Sequence, residues 1–247
     1  MQITPVKTKI FCENENLFEF ILKYIKRIPE NSILVIASKI VALAEGCTVE
    51  YKNQRQKIEL IKRESDFAIK TKIVWLTLKG NVIMANAGID ESNAKGKLIL
   101  LPLNSFMSAD ILRKKLMQKF RLKNLGVLIT DSRLMPFRAG VVGVALGYAG
   151  FQGIKNYIGK KDIFGRVLKM SQTDIADSLA TSAILCMGEG KEQQPLAMIT
   201  EAPIIFSNKI KRDELVIDPQ KDIYAPFFAN LKLMKHKKTN ERNAKKK

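Results

Sequence analysis

Histidine is almost missing from this 247-residue chain: the only one, His236, lies in a polar stretch close to the end. A Ser-His-Asp triad or an imidazole-rich metal site in the body is therefore excluded, and any chemistry there must use carboxylates, hydroxyls, amides and cations. Cysteine is scarce as well. Cys12, Cys47 and Cys186 are odd in number, widely spaced and form no CxxC pair. That argues for reduced thiols in a cytoplasmic protein and against a disulfide frame or zinc knuckle. No apolar run reaches the length of a bilayer crossing. The opening MQITPVKTKIF lacks the basic-then-apolar order of a signal peptide. Phosphate-loop glycine patterns are absent too: GVVGVALGYAGFQG (140–153) holds five glycines but neither GxGxxG nor GKS/GKT. Close packing or strand bulges explain that run more simply.

What the chain has in excess is positive charge, +18 in total. Seven Lys/Arg against one Glu in KHKKTNERNAKKK (235–247) place +6 of it in thirteen polar residues, a composition expected to form a disordered tail. The chain thus divides into a folded domain, 1–234, and a basic tail, 235–247. The other +12 spreads over the body and favours anionic ligands, whether nucleic acid, nucleotide phosphates or polycarboxylates. A non-enzymatic nucleic-acid-binding protein is the alternative to an enzyme. Against it, the sequence has no aromatic RNP-like strand, helix-turn-helix signature or zinc pattern, so nucleic acid is expected at most as a weak contact of the tail.

Periodicity predicts a helix over Asn16–Ile28 stopped by Pro29, a buried strand in SILVIAS, and a short helix in SKIVALAEG ending on Gly46. TKIVWLTL and NVIMAN read as a strand pair about Lys79-Gly80. SADILRKKLMQKF reads as a helix with Ser108 as its N-cap, and LGVLITDS as a strand. SQTDIADSLATSAILCMGEG reads as a helix capped by Ser171 or Thr173, and PLAMITEAPIIF as a further strand region. The elements alternate without the regular spacing of a doubly wound sheet, so the expected class is α+β with a mixed sheet.

Three acids sit where an apolar element gives way to a bend of small residues: Asp90 in AGIDESN, Asp131 in VLITDSR and Glu189 in CMGEGKE. Each can be a turn acid or cap, or a hard oxygen ligand for Mg²⁺ or Mn²⁺. Glu91, beside Asp90, reads as a solvated turn acid. Lys39 follows a strand at a helix start, where an ammonium and free N–H groups can face a phosphate. Arg138 and Arg166 each stand near glycine in a turn. A guanidinium there can clamp a carboxylate or phosphate, or pair with a neighbouring acid.

Six segments, in this order, carry a resemblance: IASKIVALAEG, ANAGIDESN, LLPLNSFMSADILRKKL, GVLITDSRLMPFRAGVVGVALGYAG, DIFGRVLK and IADSLATSAILCMGEG. Together they resemble the coenzyme F420:L-glutamate ligases, γ-glutamyl ligases that extend a deazaflavin coenzyme. The resemblance implies a mixed-sheet γ-glutamyl ligase fold with two intertwined subdomains. It implies a divalent cation, Mg²⁺ or Mn²⁺, on Asp90, Asp131, Ser132 and Glu189. Nucleotide contacts, for GTP or ATP, are implied at Ser38, Lys39, Asn93 and the segment Met187–Gln194 (Met187, Gly188, Gly190, Lys191 and Gln194). Lys39, Arg138 and Arg166 are then the candidate catalytic cations, on phosphate or on a carboxylate of glutamate or acceptor. The implied partners are L-glutamate, the nucleotide, an anionic folate- or deazaflavin-type acceptor and a second copy of the chain, with no membrane. The chain departs from the pattern in three places. PVKTKIF replaces a Leu-Pro nucleotide contact, which places Lys7 and Thr8 there as in folate-type relatives. Ser132 replaces a common threonine, and LMPFR stands where GRPWR is usual.

Overall fold

The computed structural model describes residues 1–80, 82–92, 94, 96–209 and 211–228, so Asn93 and the tail 235–247 lie outside the described residues. In chain order the first half gives β1 (Gln2–Val6), α1 (Leu17–Tyr24), β2 (Ser32–Ala37), α2 (Ser38–Ala44), β3 (Thr48–Glu50), α3 (Gln54–Arg63), β4 (Phe67–Lys70), β5 (Trp75–Lys79), β6 (Val82–Ala85) and β7 (Lys97–Ile99). The second half gives α4 (Ser105–Phe120), β8 (Leu125–Leu134), β9 (Val141–Ala149), β10 (Ile154–Asn156), β11 (Gln172–Asp174), α5 (Ile175–Met187), β12 (Leu196–Thr200) and α6 (Ala225–Phe228). Contacts divide the chain into Met1–Leu215 and Val216–Lys247; α6 belongs to the second unit.

The main sheet has the order β1-β12-β2-β8-β9. β2 and β8 run parallel, and the other three pairings are antiparallel. The mixed-sheet α+β expectation is met. β2 reads as an unbroken apolar run because both its faces are covered. Leu34 and Ile36 pack with α1, α2 and α4 residues such as Ile21, Val41 and Leu116, while Ile33 and Val35 pack with Ala180, Ala183 and Met187 of α5. The excursion between α2 and α4 carries β3–β7, α3 and the β4–β5–β6 sheet around its own small core of Leu60, Ile61, Ile89 and Leu98.

The glycine run is a packing device. A Cβ on Gly143 of β9 would lie 2.3 Å from the Ala180 carbonyl oxygen, and one on Gly147 would lie 2.4 Å from the Phe106 nitrogen. Two glycines thus let α5 and α4 press on opposite faces of β9. A bulge between Ile129 and Thr130, opposite Gly147 and Ala145, re-aims the end of β8.

Helix ends depart from the sequence reading in three places. α4 starts three residues before Ser108, because the Asn104 carboxamide accepts from the Met107 N–H at 3.0 Å; the Ser108 hydroxyl donates instead to Glu45 at 2.6 Å. α5 is capped by Asp174, not by Ser171 or Thr173, and its carboxylate accepts from the Asp177 N–H at 2.9 Å. α1 ends at Tyr24, and the chain beyond it extends to bury both Ile25 and Ile28.

Asp174 makes stability depend on pH. Burial, with the neighbouring Asp177 carboxylate, pushes it up to about 6 against the N–H groups that bond it. Its folded value lies above the unfolded one, about 3.9, so the folded state holds the extra proton between these values. Stability falls as pH rises through that window and stays lower above it. Asp174→Asn keeps the cap acceptor and removes the charge. The variant should melt roughly 2–4 °C higher at pH 7.5, on the order of 1 kcal/mol after solvent screening, and match the parent at pH 4. Thermal melts at the two pH values check it.

Candidate active site

The carboxyl ends of β1, β2 and β8 and the start of β12 lie along one edge of the main sheet. Open sheets commonly bind ligands beyond such strand ends. Three backbone segments are fastened together there. The Thr8 N–H donates to the Gln193 carbonyl at 2.9 Å, and the Ala37 N–H donates to the Pro195 carbonyl at 2.9 Å. Thr8, the first turn of α2 and the turn after α5 are thereby held as one rim.

Asp90 reaches this rim from the loop after β6. Asn86, Ala87 and Gly88 all take left-handed backbone conformations, with φ of 52°, 56° and 74°. Ala87 is fully buried, and a Cβ on Gly88 would lie 2.7 Å from the Leu101 side chain. Those constraints explain the small residues that precede the acid. Asp90 then pairs with Ile99 through both backbone hydrogen bonds. Its Oδ1 accepts from the Ser92 N–H at 2.7 Å, and its Oδ2 meets the Lys39 Nζ at 2.6 Å. Lys39 also donates to the Ser92 hydroxyl at 2.9 Å. Burial pushes the Asp90 carboxyl up, but the Lys39 and Ser92 hydrogen bonds outweigh it and leave it below the usual carboxylate range.

The residue before Lys39 takes the next step. Ser38 donates to Asp131 Oδ1 at 3.3 Å, and Asp131 Oδ2 accepts from Arg133 Nη1. Ser132 points to the other face of β8 and donates to Glu189 Oε1 at 2.5 Å. Side chains alternate along a strand, so two faces of one sheet end serve adjacent residues. Asp90, Lys39, Ser38, Asp131, Ser132 and Glu189 form a continuous chain through two pairs of sequence neighbours. Among the described residues no three acidic or thiol groups stand close enough to hold one metal ion.

Glu189 belongs to a glycine turn that begins at Gly188, φ 82°, after the buried Met187. Within it the Gly190 N–H donates to the Glu192 carboxylate at 2.8 Å. Gly190 and Lys191 are exposed and Gln194 half-buried. Arg138 and Arg166 are exposed, and neither side chain contacts a described acid of the chain. Glu91 is not a free turn acid: it pairs with Lys57 of α3 and accepts from the Tyr51 hydroxyl at 3.1 Å. Arg133 stands outside the residues that the sequence motifs single out. The signal was its place two residues after Asp131 in a strand, hence on the same face.

A mixed sheet whose strand ends gather carboxylates, hydroxyls and a lysine around a glycine turn forms the candidate active edge of an enzyme. The model of the F420-0:gamma-glutamyl ligase family matches residues 5–201. The coenzyme F420:L-glutamate ligase of Methanocaldococcus jannaschii is 35% identical over 91% of this chain and 96% of the relative. That of Archaeoglobus fulgidus is 32% identical over 81% and 87%. That of Methanosarcina acetivorans is 34% identical over 76% and 80%. The chain belongs to the F420-0:gamma-glutamyl ligase family and is a ligase of the amide-forming kind. No described helix is long and apolar enough to cross a membrane.

Proposed function

We propose that this protein is a nucleotide- and metal-dependent γ-glutamyl ligase that joins L-glutamate to the carboxylate of an F420-0-type acceptor. The observation that carries the reading is the contact chain from Asp90 to Glu189 at the strand ends, inside the stretch that matches the family. Amide formation from a carboxylate in water is uphill. GTP or ATP would therefore first phosphorylate the acceptor to an acyl phosphate, which the glutamate amine attacks with loss of phosphate.

Lys39 places a point charge at the start of α2, where it meets the nucleotide's phosphates together with Ser38 and the Met187–Gln194 turn. Asn93 lies outside the described residues, and its nucleotide role follows from the AGIDESN motif alone. Asp90, Asp131, Glu189 and the Ser132 hydroxyl are hard-oxygen groups of the kind Mg²⁺ or Mn²⁺ takes, and Asp90 is held ionised, as a ligand must be; yet Asp131 and Ser132 face opposite sides of β8, and the described acids do not converge on one ion. When bound, such an ion neutralises charge on phosphoryl oxygens. Arg138 and Arg166, free of described acids, can close on a substrate carboxylate from exposed turns. The positive body draws in three anionic substrates. We place the enzyme in the cytoplasm as a homodimer; the exposed Phe137, Ile163 and Phe164 support a covered surface.

A nucleotide-release assay tests this. Nucleotide should be consumed only when acceptor and L-glutamate are both present, and nucleotide with Mn²⁺ should raise the melting temperature. Consumption independent of acceptor and glutamate would contradict the reading.

A further inference from the structure

Arg133 stands in β8 between Ser132 and Leu134 and is only 7% exposed. Its Nη1 donates to Asp131 and, at 3.1 Å, to the Ser132 carbonyl. Its Nε and Nη2 are buried and have no hydrogen-bond partner among the described residues. Buried donors are nearly always satisfied, and a buried guanidinium with two idle nitrogens costs stability that an apolar residue in this strand would not. A partner supplied from outside the chain accounts for its presence.

The idle pair also has a shape. Nη1 is the nitrogen on the Cδ side, so Nε and Nη2 form the side-on edge of the guanidinium. That edge offers two parallel N–H groups to two oxygens of one group. Asp131 grips the opposite corner, so the fork is held in place before any ligand arrives. It lies beside Asp131 and Ser38, within the chain of contacts described above.

We propose that Arg133 is the carboxylate fork of this site: its Nε–Nη2 edge binds a carboxylate of one of the substrates being joined. This rests on the ligase reading, under which both L-glutamate and the acceptor bring carboxylates. Entry of the ligand must open the packing over the fork, whose idle nitrogens are buried.

Arg133→Lys keeps the charge and loses the fork, while Arg133→Met loses both. KM for L-glutamate, F420-0 and nucleotide should be measured separately, with thermal melts to confirm folding. One carboxylate substrate should show KM raised about 10-fold or more in the lysine variant, with nucleotide KM within about twofold of the parent. A rise for glutamate alone assigns the fork to glutamate, and a rise for F420-0 alone assigns it to the acceptor. All three KM values unchanged, or kcat alone reduced, would overturn the fork, the latter leaving Arg133 as a support for Asp131. Calorimetric titration of L-glutamate and of F420-0, with a non-hydrolysable nucleotide and Mg²⁺, reads the fork without turnover. If the parent binds one of them and Arg133→Lys binds it about 10-fold more weakly, the fork stands even where no ligation is seen. If the parent ligates and both variants bind both compounds normally, the ligase reading stands and the fork falls.

Discussion

Asp131→Asn should lower turnover by roughly 10²–10³-fold in a protein that still folds. One carboxylate oxygen accepts from Ser38 of α2, and the other takes the Arg133 guanidinium. Asparagine can keep one acceptor but neither the charge nor the second oxygen. It therefore fails as a hard ligand and leaves a guanidinium that is almost wholly buried without its counter-charge. Breaking a buried pair from one side costs about 3–5 kcal/mol, so the melting temperature should drop too. The two effects come apart in a double variant. Asp131→Asn with Arg133→Met removes the stranded cation and should recover most of the melting temperature, while turnover at saturating substrate stays far below that of Arg133→Met alone. Recovery of turnover along with stability would assign Asp131 to structure alone.

Lys39→Met should have the next largest effect, a fall of about 10²-fold in turnover, because it removes the charge expected on the phosphates and also releases Asp90. Its second consequence can be read without any substrate. In the parent protein the folded Asp90 carboxyl lies below its unfolded value. It therefore contributes stability that is present above about pH 4 and lost as pH falls through the folded value. Without Lys39 the largest remaining influence is burial, which pushes the carboxyl up. Only the Ser92 hydrogen bonds then oppose burial, so the stability that Asp90 contributes above about pH 4 shrinks. Melting curves of the metal-free proteins between pH 3 and pH 7 test it. The parent should gain more stability than the variant across that range, and parallel curves would contradict the role given to the Lys39–Asp90 pair.

The parts of this molecule that were legible in its sequence are those where one residue pattern has one structural solution. SILVIA is apolar at every position and became β2, buried on both faces. SKIVALA followed by Glu-Gly became α2, with Gly46 at φ 67° just past its end. The five-glycine run was expected to serve packing or bulges, and at Gly143 and Gly147 it does so against two helix backbones.

Choices between near-equal local chemistries were harder. Asn104 and Ser108 are both good caps, as are Ser171, Thr173 and Asp174. Which one acts depends on tertiary partners such as Glu45, which draws the Ser108 hydroxyl away. β1 has a weak local signal, because QITPV is short and holds a proline. It exists because it pairs at the edge of the sheet with β12.

The site divides in the same way. Acids at the ends of apolar elements could be picked out one by one, but Ser38 touching Asp131 is a contact across 93 residues that no local pattern reports. Glu91 looked like any turn acid until Lys57 and Tyr51 of the excursion met it. Arg133 carries no local signal beyond its spacing from Asp131. Its burial depends on what packs over the end of β8.

The proposed ligase joins glutamate to an acceptor carboxylate at this edge. Mass spectrometry of the acceptor tests it most directly, with F420-0 and a folate-type acceptor incubated in parallel with L-glutamate, GTP or ATP, and Mg²⁺ or Mn²⁺. The account predicts F420-0 heavier by one or more glutamyl units, only when nucleotide and metal are both present, and not with Asp131→Asn. A glutamyl gain on the folate-type acceptor alone would keep the ligase and change its acceptor. No gain on either acceptor, from folded protein under all four combinations of nucleotide and metal, would contradict it.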